Sequence, residues 1–368
     1  MKKVKDWPVR IPRSPWTRGG ILLAFLSGVG ALLWWHGPQW SSFKDAFTAV
    51  EWKWVAAAVG FNLLSIVARS FAWNAVIRSA MPPPHPQFRL VFSAFCVGLL
   101  GNAVLPGRVG ELARVGVLTR RLDGRRRGVW PTLVGTVFAH RVFDLVPVAL
   151  LVVYVLITAD IPNWAFTSLA IVLSIGVGLF LFAFASARHH GKTRIEGLGT
   201  VRRIVTMARL GLGVMRSPGA AALAIFGQCV GWGCQLMAVL TAMWAFDIHE
   251  GLPAAALVLV LMNVATIIPL WPGNVGLVQV AIATPLVRYG VDYGKGIAFG
   301  FGLQAIEASV GVGIGLIFLG HEGLSFARLR EMPGAVTADE DGGQEPEEPA
   351  EGEEEAFERE PSRARVPG

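Results

Sequence analysis

Seven ionisable residues lie within or beside long apolar runs of this sequence: Arg69, Arg108, Glu111, Arg114, Arg141, Asp144 and Glu307. A central Arg or Asp in a membrane helix costs about 2.5–3.5 kcal/mol on insertion scales, whereas each Leu or Phe returns only about 0.3–0.6 kcal/mol. Residues that costly are kept when they do something. Arg presents a planar fork that grips a phosphate through two parallel hydrogen bonds. A neighbouring carboxylate can hold the Arg in place or relay protons. Glu111 and Arg114 are three residues apart, as are Arg141 and Asp144. Each pair therefore shares a helix face, and pairing lowers the cost of burial. Arg69, Arg108, Arg114 and Arg141 outnumber Glu111 and Asp144, a positive surplus suited to one phosphate. These six residues are the expected headgroup site. In the competing reading the pairs only lock helices together. For Glu307, alone in its span, a structural hydrogen bond is at least as good a reading. His140 reads as a helix-contact hydrogen bond rather than a proton relay.

A repeated pentapeptide lies beside these charges. Pro106-Gly107-Arg108-Val109-Gly110 and Pro272-Gly273-Asn274-Val275-Gly276 each separate two apolar arms. Pro removes a backbone donor and breaks a helix, and Gly permits positive φ and close backbone approach. Irregular backbone at membrane depth is tolerated only inside protein or beside a water-filled cavity. The two breaks are thus expected at the tips of re-entrant hairpins, with Asn102, Pro106, Gly107 and Gly110 at one tip and Pro272, Gly273, Asn274 and Gly276 at the other. Such paired interruptions are the sequence pointer to an inverted-repeat transporter with a polar cavity near the midplane.

The elements that must position these residues follow from hydropathy and charge. The chain has 368 residues, of which 53% are hydrophobic and only 16% charged. That composition excludes an ordinary soluble enzyme, and the three Cys exclude a disulfide scaffold. The net charge of +7 conceals two opposite regions, +16 over residues 1–320 and −9 over residues 321–368. Spans of about 20 apolar residues are expected at Gly19–Pro38, Trp54–Ile77, Val129–Thr158, Trp164–Ser186, Gly219–Phe246 and Gly296–Leu319. Lys and Arg favour cytoplasmic loops. Arg78, Arg89 and the run Arg120–Arg127 can all be cytoplasmic only if Phe88–Thr119 enters and leaves on one side. By the same reasoning Ala254–Val287 is a hairpin from the opposite side. The expected fold is an all-α polytopic membrane protein of about six transmembrane helices plus two oppositely directed re-entrant hairpins. Both termini are cytoplasmic and the location is the plasma membrane.

The division expected is a basic N-terminus (1–18), a transmembrane domain (19–320) and an acidic disordered tail (321–368), whose Glu, Pro and Gly cannot offset ordering entropy. Phe43, Phe47 and Val50 suggest an interfacial helix after Ser42, with Asp45 as a capping partner. Val201, Ile204, Val205, Ala208 and Leu212 form a stripe opposite Arg202, Arg203 and Arg209, suited either to an anionic leaflet or to packing on the bundle. Gly227/Gly231 and Gly311/Gly315 have the spacing of close helix contacts. Cys96, Cys229 and Cys234 read as small core residues. No nucleotide loop, nucleophile elbow or zinc spacing occurs, so no cofactor, metal or catalytic residue is expected, and no nucleic-acid partner. A protein partner for the tail and a homo-oligomer remain open.

The run from Gly101 to Arg114, Gly-Asn-Ala-Val-Leu-Pro-Gly-Arg-Val-Gly-Glu-Leu-Ala-Arg, resembles the lysylphosphatidylglycerol synthase transmembrane region family. So do Arg141-Val142-Phe143-Asp144 and Pro269-Leu270-Trp271-Pro272-Gly273-Asn274-Val275-Gly276. The resemblance spans most of residues 20–320. It implies a lipid flippase domain, here stand-alone, without the aminoacyl-transferase domain of the synthases, and so argues against synthase activity. The lipid is open, since relatives also serve polyprenyl-phosphate sugar pathways. Family members usually carry a Glu shortly after the second Pro-Gly motif, where this chain has Gln279, a polar position of the second repeat that would alter headgroup selection or coupling. The resulting expectation is a translocator whose cavity holds the headgroup while acyl chains stay in lipid. The alternatives are an integral-membrane transferase acting on a lipid phosphate and a membrane scaffold.

Overall fold

The computed structural model describes residues 40–104, 110–122, 129–161, 163–188, 217–267 and 272–321. The expected first span Gly19–Pro38, the tip residues Pro106, Gly107 and Arg108, the stripe Val201–Leu212 and the acidic tail lie outside the described residues. The described residues form α1 (Trp40–Thr48), α2 (Trp52–Ala80), α3 (Phe88–Val104), α4 (Gly110–Arg121), α5 (Val129–Thr158) and α6 (Asn163–Arg188). After these come α7 (Pro218–Ala245), α8 (Leu252–Ala265), α9 (Leu277–Leu286) and α10 (Tyr293–His321). Four of them, α2, α5, α7 and α10, are long and apolar enough to cross a membrane. At ~1.5 Å per residue each exceeds the ~30 Å hydrocarbon thickness. Pro occupies the first turns of α7 and α8, where its missing donor costs nothing. The chain is an all-α polytopic membrane protein.

The packing has a two-fold pattern. Exchange α2 with α7, α3 with α8, α4 with α9 and α5 with α10, and every packed pair among these eight helices becomes another packed pair. For example, α3 against α10 becomes α8 against α5, and α2 against α5 becomes α7 against α10. The central pair, α2 and α7, runs antiparallel. Trp54 meets Trp244 at a ring-centroid separation of 4.8 Å, Ser65 Oγ donates to the Gly231 carbonyl at 2.8 Å, and Gly227 lies against Ala68 and Ala72. Because corresponding helices run in opposite directions, the two halves are an inverted repeat. Each half carries its own hairpin, α3–α4 or α8–α9.

Each hairpin also has its own apolar core. One core joins α3 and α4 to Trp73 and Ile77 of α2, Leu133 of α5 and Leu319 of α10. The other joins α8 and α9 to Ala58 of α2, Met243 of α7 and Phe299 of α10. The outward faces remain apolar, with Leu150, Ile157, Ile175, Phe226 and Ile317 exposed, as a lipid-facing surface requires.

Two local expectations need correction. α1 already includes Trp40 and Ser41, so Ser42 sits inside the helix and is no cap. Its apolar face is not free, since Phe43 packs edge-on to Phe301 of α10 and Phe47 to Phe246. Of the two glycine pairs, Gly227 and Gly231 both meet α2, but only Gly315 of the second pair meets a neighbour, at Cys96 and Leu100 of α3.

Candidate functional site

The four long helices place polar groups close to their midpoints: Arg69 on α2, Arg141 and Asp144 on α5, Trp232 and Gln235 on α7, Glu307 on α10. Arg141 is the hub of the first cluster. Its guanidinium pairs with Glu111 of α4 and donates to Asp144 Oδ2 at 3.2 Å. Asp144 Oδ1 accepts from Trp232 Nε1 at 3.0 Å. The i,i+3 pair Arg141–Asp144 forms as its spacing suggests. The second such pair does not, because Glu111 reaches across to α5.

Arg114 instead turns into the protein. It is 4% exposed, and its guanidinium lies over Trp73 at 4.6 Å and Phe95 at 5.4 Å. Trp73 is itself held by a 3.1 Å bond from its Nε1 to Thr136 Oγ1. Arg114 Nε and Nη2 are buried without a hydrogen-bond partner. Arg69 lies over Trp232 at 4.8 Å, and its Nε too lacks a partner. Cation–π contact recovers part of the cost of burying an Arg, but leaves its donors available.

The first hairpin closes on glycines. A Cβ on Gly110 would overlap the Gly98 carbonyl and lie 2.5 Å from Asn102 N. One on Gly101 would lie 2.7 Å from Gly110 Cα. This backbone contact brings Asn102, Glu111 and Arg114 to one end of the hairpin. Asn102 Oδ1 is buried and unpartnered.

The second hairpin is built differently. Pro272–Asn274 form a 3-10 turn in which Gly273 has φ 70° and Asn274 φ 45°. Asn274 Nδ2 donates to the Ala265 carbonyl at 2.8 Å, tying the tip to the end of α8. Gly276, at φ 93°, precedes α9 and donates its N–H to Gln279 Oε1 at 2.5 Å. Gln279 Nε2 donates to Gln304 Oε1 at 2.6 Å, and Gln304 Nε2 donates to the Gly273 carbonyl. Gln279 thus caps a helix and links the tip to α10. A carboxylate there could accept from Gly276 but could not donate to Gln304.

Three cavities meet around these groups. The largest, about 620 Å³, is a mainly apolar groove along α5 and α8 with Glu111, Arg141, Asp144 and Asn263 in its wall. A second, about 340 Å³, lies between the hairpins and is lined by Asn62, Arg69, Gln235, Gly273, Gln304 and Glu307, among others. A third, about 40 Å³, touches Arg69, Asn102, Glu111, Arg114, Arg141 and Asp144. Arg69 borders the second and third, and Arg141 and Asp144 the first and third.

The described members of the expected site, Arg69, Glu111, Arg114, Arg141 and Asp144, therefore come together. The aromatic platforms Trp73, Phe95 and Trp232, and the amides Gln228, Gln235, Asn263 and Gln304, join the site without a charge or motif to mark them in the sequence. Gln or Asn inside an apolar span was the available signal, since such residues bond across membrane helices. His140 makes helix contacts, with Nε2 3.2 Å from the Arg69 carbonyl and 3.2 Å from Gln228 Nε2. Residues 20–315 match the family described as Lysylphosphatidylglycerol synthase TM region. No curated protein and no solved structure matches the chain.

Proposed function

Because the chain belongs to the lysylphosphatidylglycerol synthase TM region family, a membrane family of lipid-related function, we propose that it carries an anionic lipid between leaflets of the plasma membrane. Both termini face the cytoplasm in this reading, and the chain transports rather than catalyses.

The observation that carries the proposal is the buried guanidinium of Arg114, with Nε and Nη2 unpartnered, beside the Arg141–Glu111–Asp144 cluster. Among the described residues bordering the small cavity, Arg69, Arg114 and Arg141 face Glu111 and Asp144. That leaves one net positive charge, which a phosphodiester monoanion neutralises. Burying an unmatched cation is costly unless a partner arrives, and a phosphate oxygen supplies the missing acceptor for Arg114. Arg69 and Arg141 complete the headgroup site among the described residues. The adjoining apolar groove gives an acyl chain a path from the headgroup into lipid. The inverted repeat supports two-sided access, since its hairpins enter from opposite faces.

The test is lipid exchange in phosphatidylcholine vesicles doped with fluorescent phosphatidylglycerol, followed by quenching of the outer leaflet. Wild-type protein should speed exchange, and Arg114→Met and Arg141→Ala should each slow it at least tenfold while still reconstituting. Exchange at the wild-type rate in both variants would sink the site. Chemical conversion of the lipid by purified protein would favour a transferase instead, and loss of function on deleting residues 332–368 a scaffold.

A further inference from the structure

The cavity between the hairpins contains a carboxylate that the headgroup site does not use. Glu307 accepts from Gln235 Nε2 at 2.7 Å and, among the described residues, shares this cavity with one other charged residue, Arg69. Among the described residues, the elements packed against α10 bring no further charge there. Lys44 and Asp45 of α1, Lys53 and Arg78 of α2 and Arg89 of α3 are exposed, and α7 and α9 contain no charged residue. On α10 itself, Lys295 and His321 sit in the first and last turns.

Arg69 has two faces to serve. It borders the inter-hairpin cavity beside Glu307 and the small cavity beside Asp144 and Arg114, where the phosphate is placed. Its guanidinium rests on Trp232, the same indole that holds Asp144, and its Nε has no acceptor. One cation thus stands between two positions for negative charge. An ionised Glu307 competes with an incoming phosphate for Arg69, and a proton on Glu307 removes that competition.

We propose that Glu307 takes up one proton with each anionic headgroup, so that proton and lipid phosphate bind as a linked pair and cross together. This rests on the translocation reading above. The charges balance. The empty site holds ionised Glu307 with Arg69, and the loaded site holds neutral Glu307 with Arg69 and a phosphodiester monoanion. The proton comes from the aqueous phase on the loading side and leaves on the other. Linkage is reciprocal, so the lipid must favour protonation as much as the proton favours the lipid.

Infrared spectra of the purified protein, with and without added phosphatidylglycerol, test the binding step. A protonated-carboxyl band should appear on lipid addition, vanish in Glu307→Gln and persist in Glu307→Asp. No lipid-dependent band in wild type, or one that survives Glu307→Gln, overturns the proposal. Vesicles carrying a one-unit pH gradient test the movement. One proton per lipid gives about tenfold asymmetry of fluorescent phosphatidylglycerol between leaflets, falling to none in Glu307→Gln. Lipid exchange that ignores the gradient in wild type overturns the coupling and leaves translocation standing. A Glu307 band with no lipid exchange overturns translocation and leaves the linked binding.

Discussion

The two hairpins share a scaffold and differ in what they do with it. The first presents Glu111 and Arg114 and is closed by contact between glycine backbones. The second presents only neutral amides and is closed by hydrogen bonds from Asn274, Gln279 and Gln304. Its own polar groups are matched within the protein, whereas the first hairpin leaves Asn102 Oδ1 and two Arg114 nitrogens unmatched. Symmetric packing therefore carries asymmetric chemistry. The second hairpin is saturated by its own hydrogen bonds, and the first leaves buried polar atoms open to a partner.

Substitutions can break this comparison, and the largest effect belongs to the glycine contact. Gly110→Ala would drive a Cβ into the Gly98 carbonyl and Asn102. Backbone cannot yield as a side chain can, so a loss of about 4 kcal/mol or more is expected, seen as failure to recover monodisperse protein. Its counterpart Gly276→Ala meets nothing within 4 Å and suffers only from φ 93°, a strain of about 1–3 kcal/mol that lowers the melting temperature without preventing purification. If both behave alike, the hairpins are not closed by different means.

Next comes Asp144→Ala. It strips Arg141 of one partner and leaves Trp232 Nε1 without an acceptor. About 3 kcal/mol of destabilisation is expected, at the low end for a broken buried ion pair because Arg141 is partly exposed. Gln304→Leu, on the opposite hairpin, frees the Gly273 carbonyl and Gln279 Nε2, at about 2 kcal/mol in all. Thermal unfolding in detergent should rank the two in that order.

Arg114→Met runs the other way. It replaces an unpaired buried cation with an apolar chain of similar length, so stability should hold or rise while lipid exchange falls. A drop in both would mean that Arg114 is a structural residue.

The smallest effect is expected at the surface. Asp247 accepts from Lys295 Nζ at 2.8 Å, and that bond holds its carboxyl below the usual range. A depressed carboxyl stabilises the fold above its ordinary pKa and loses that contribution as pH falls through its folded value. Asp247→Asn should therefore lower the melting temperature slightly at neutral pH and converge with wild type in acid, flattening the acid limb of the profile.

Much of the fold was legible because hydropathy is local. Trp54–Ile77 and Gly219–Phe246 fell within two or three residues of α2 and α7, since twenty apolar residues in a row specify a spanning helix whatever they pack against. The hairpins were legible through the charge of flanking loops and the repeated Pro-Gly. The family was legible in three short motifs. Arg69, Glu111, Arg114, Arg141 and Asp144 were legible as a group because charge in an apolar span is costly wherever it sits.

Partnership was not legible. Spacing makes Glu111 and Arg114 a pair on one helix face, yet Glu111 takes Arg141 from α5 and Arg114 takes the faces of Trp73 and Phe95. Spacing fixes only which residues share a face. Which face meets which neighbour depends on the rotation and register of packed helices, set by contacts such as Gly231 against Arg69 and Gly110 against Gly98. Only the tertiary structure decided that Arg69 would border two cavities, and that Glu307 would share one of them.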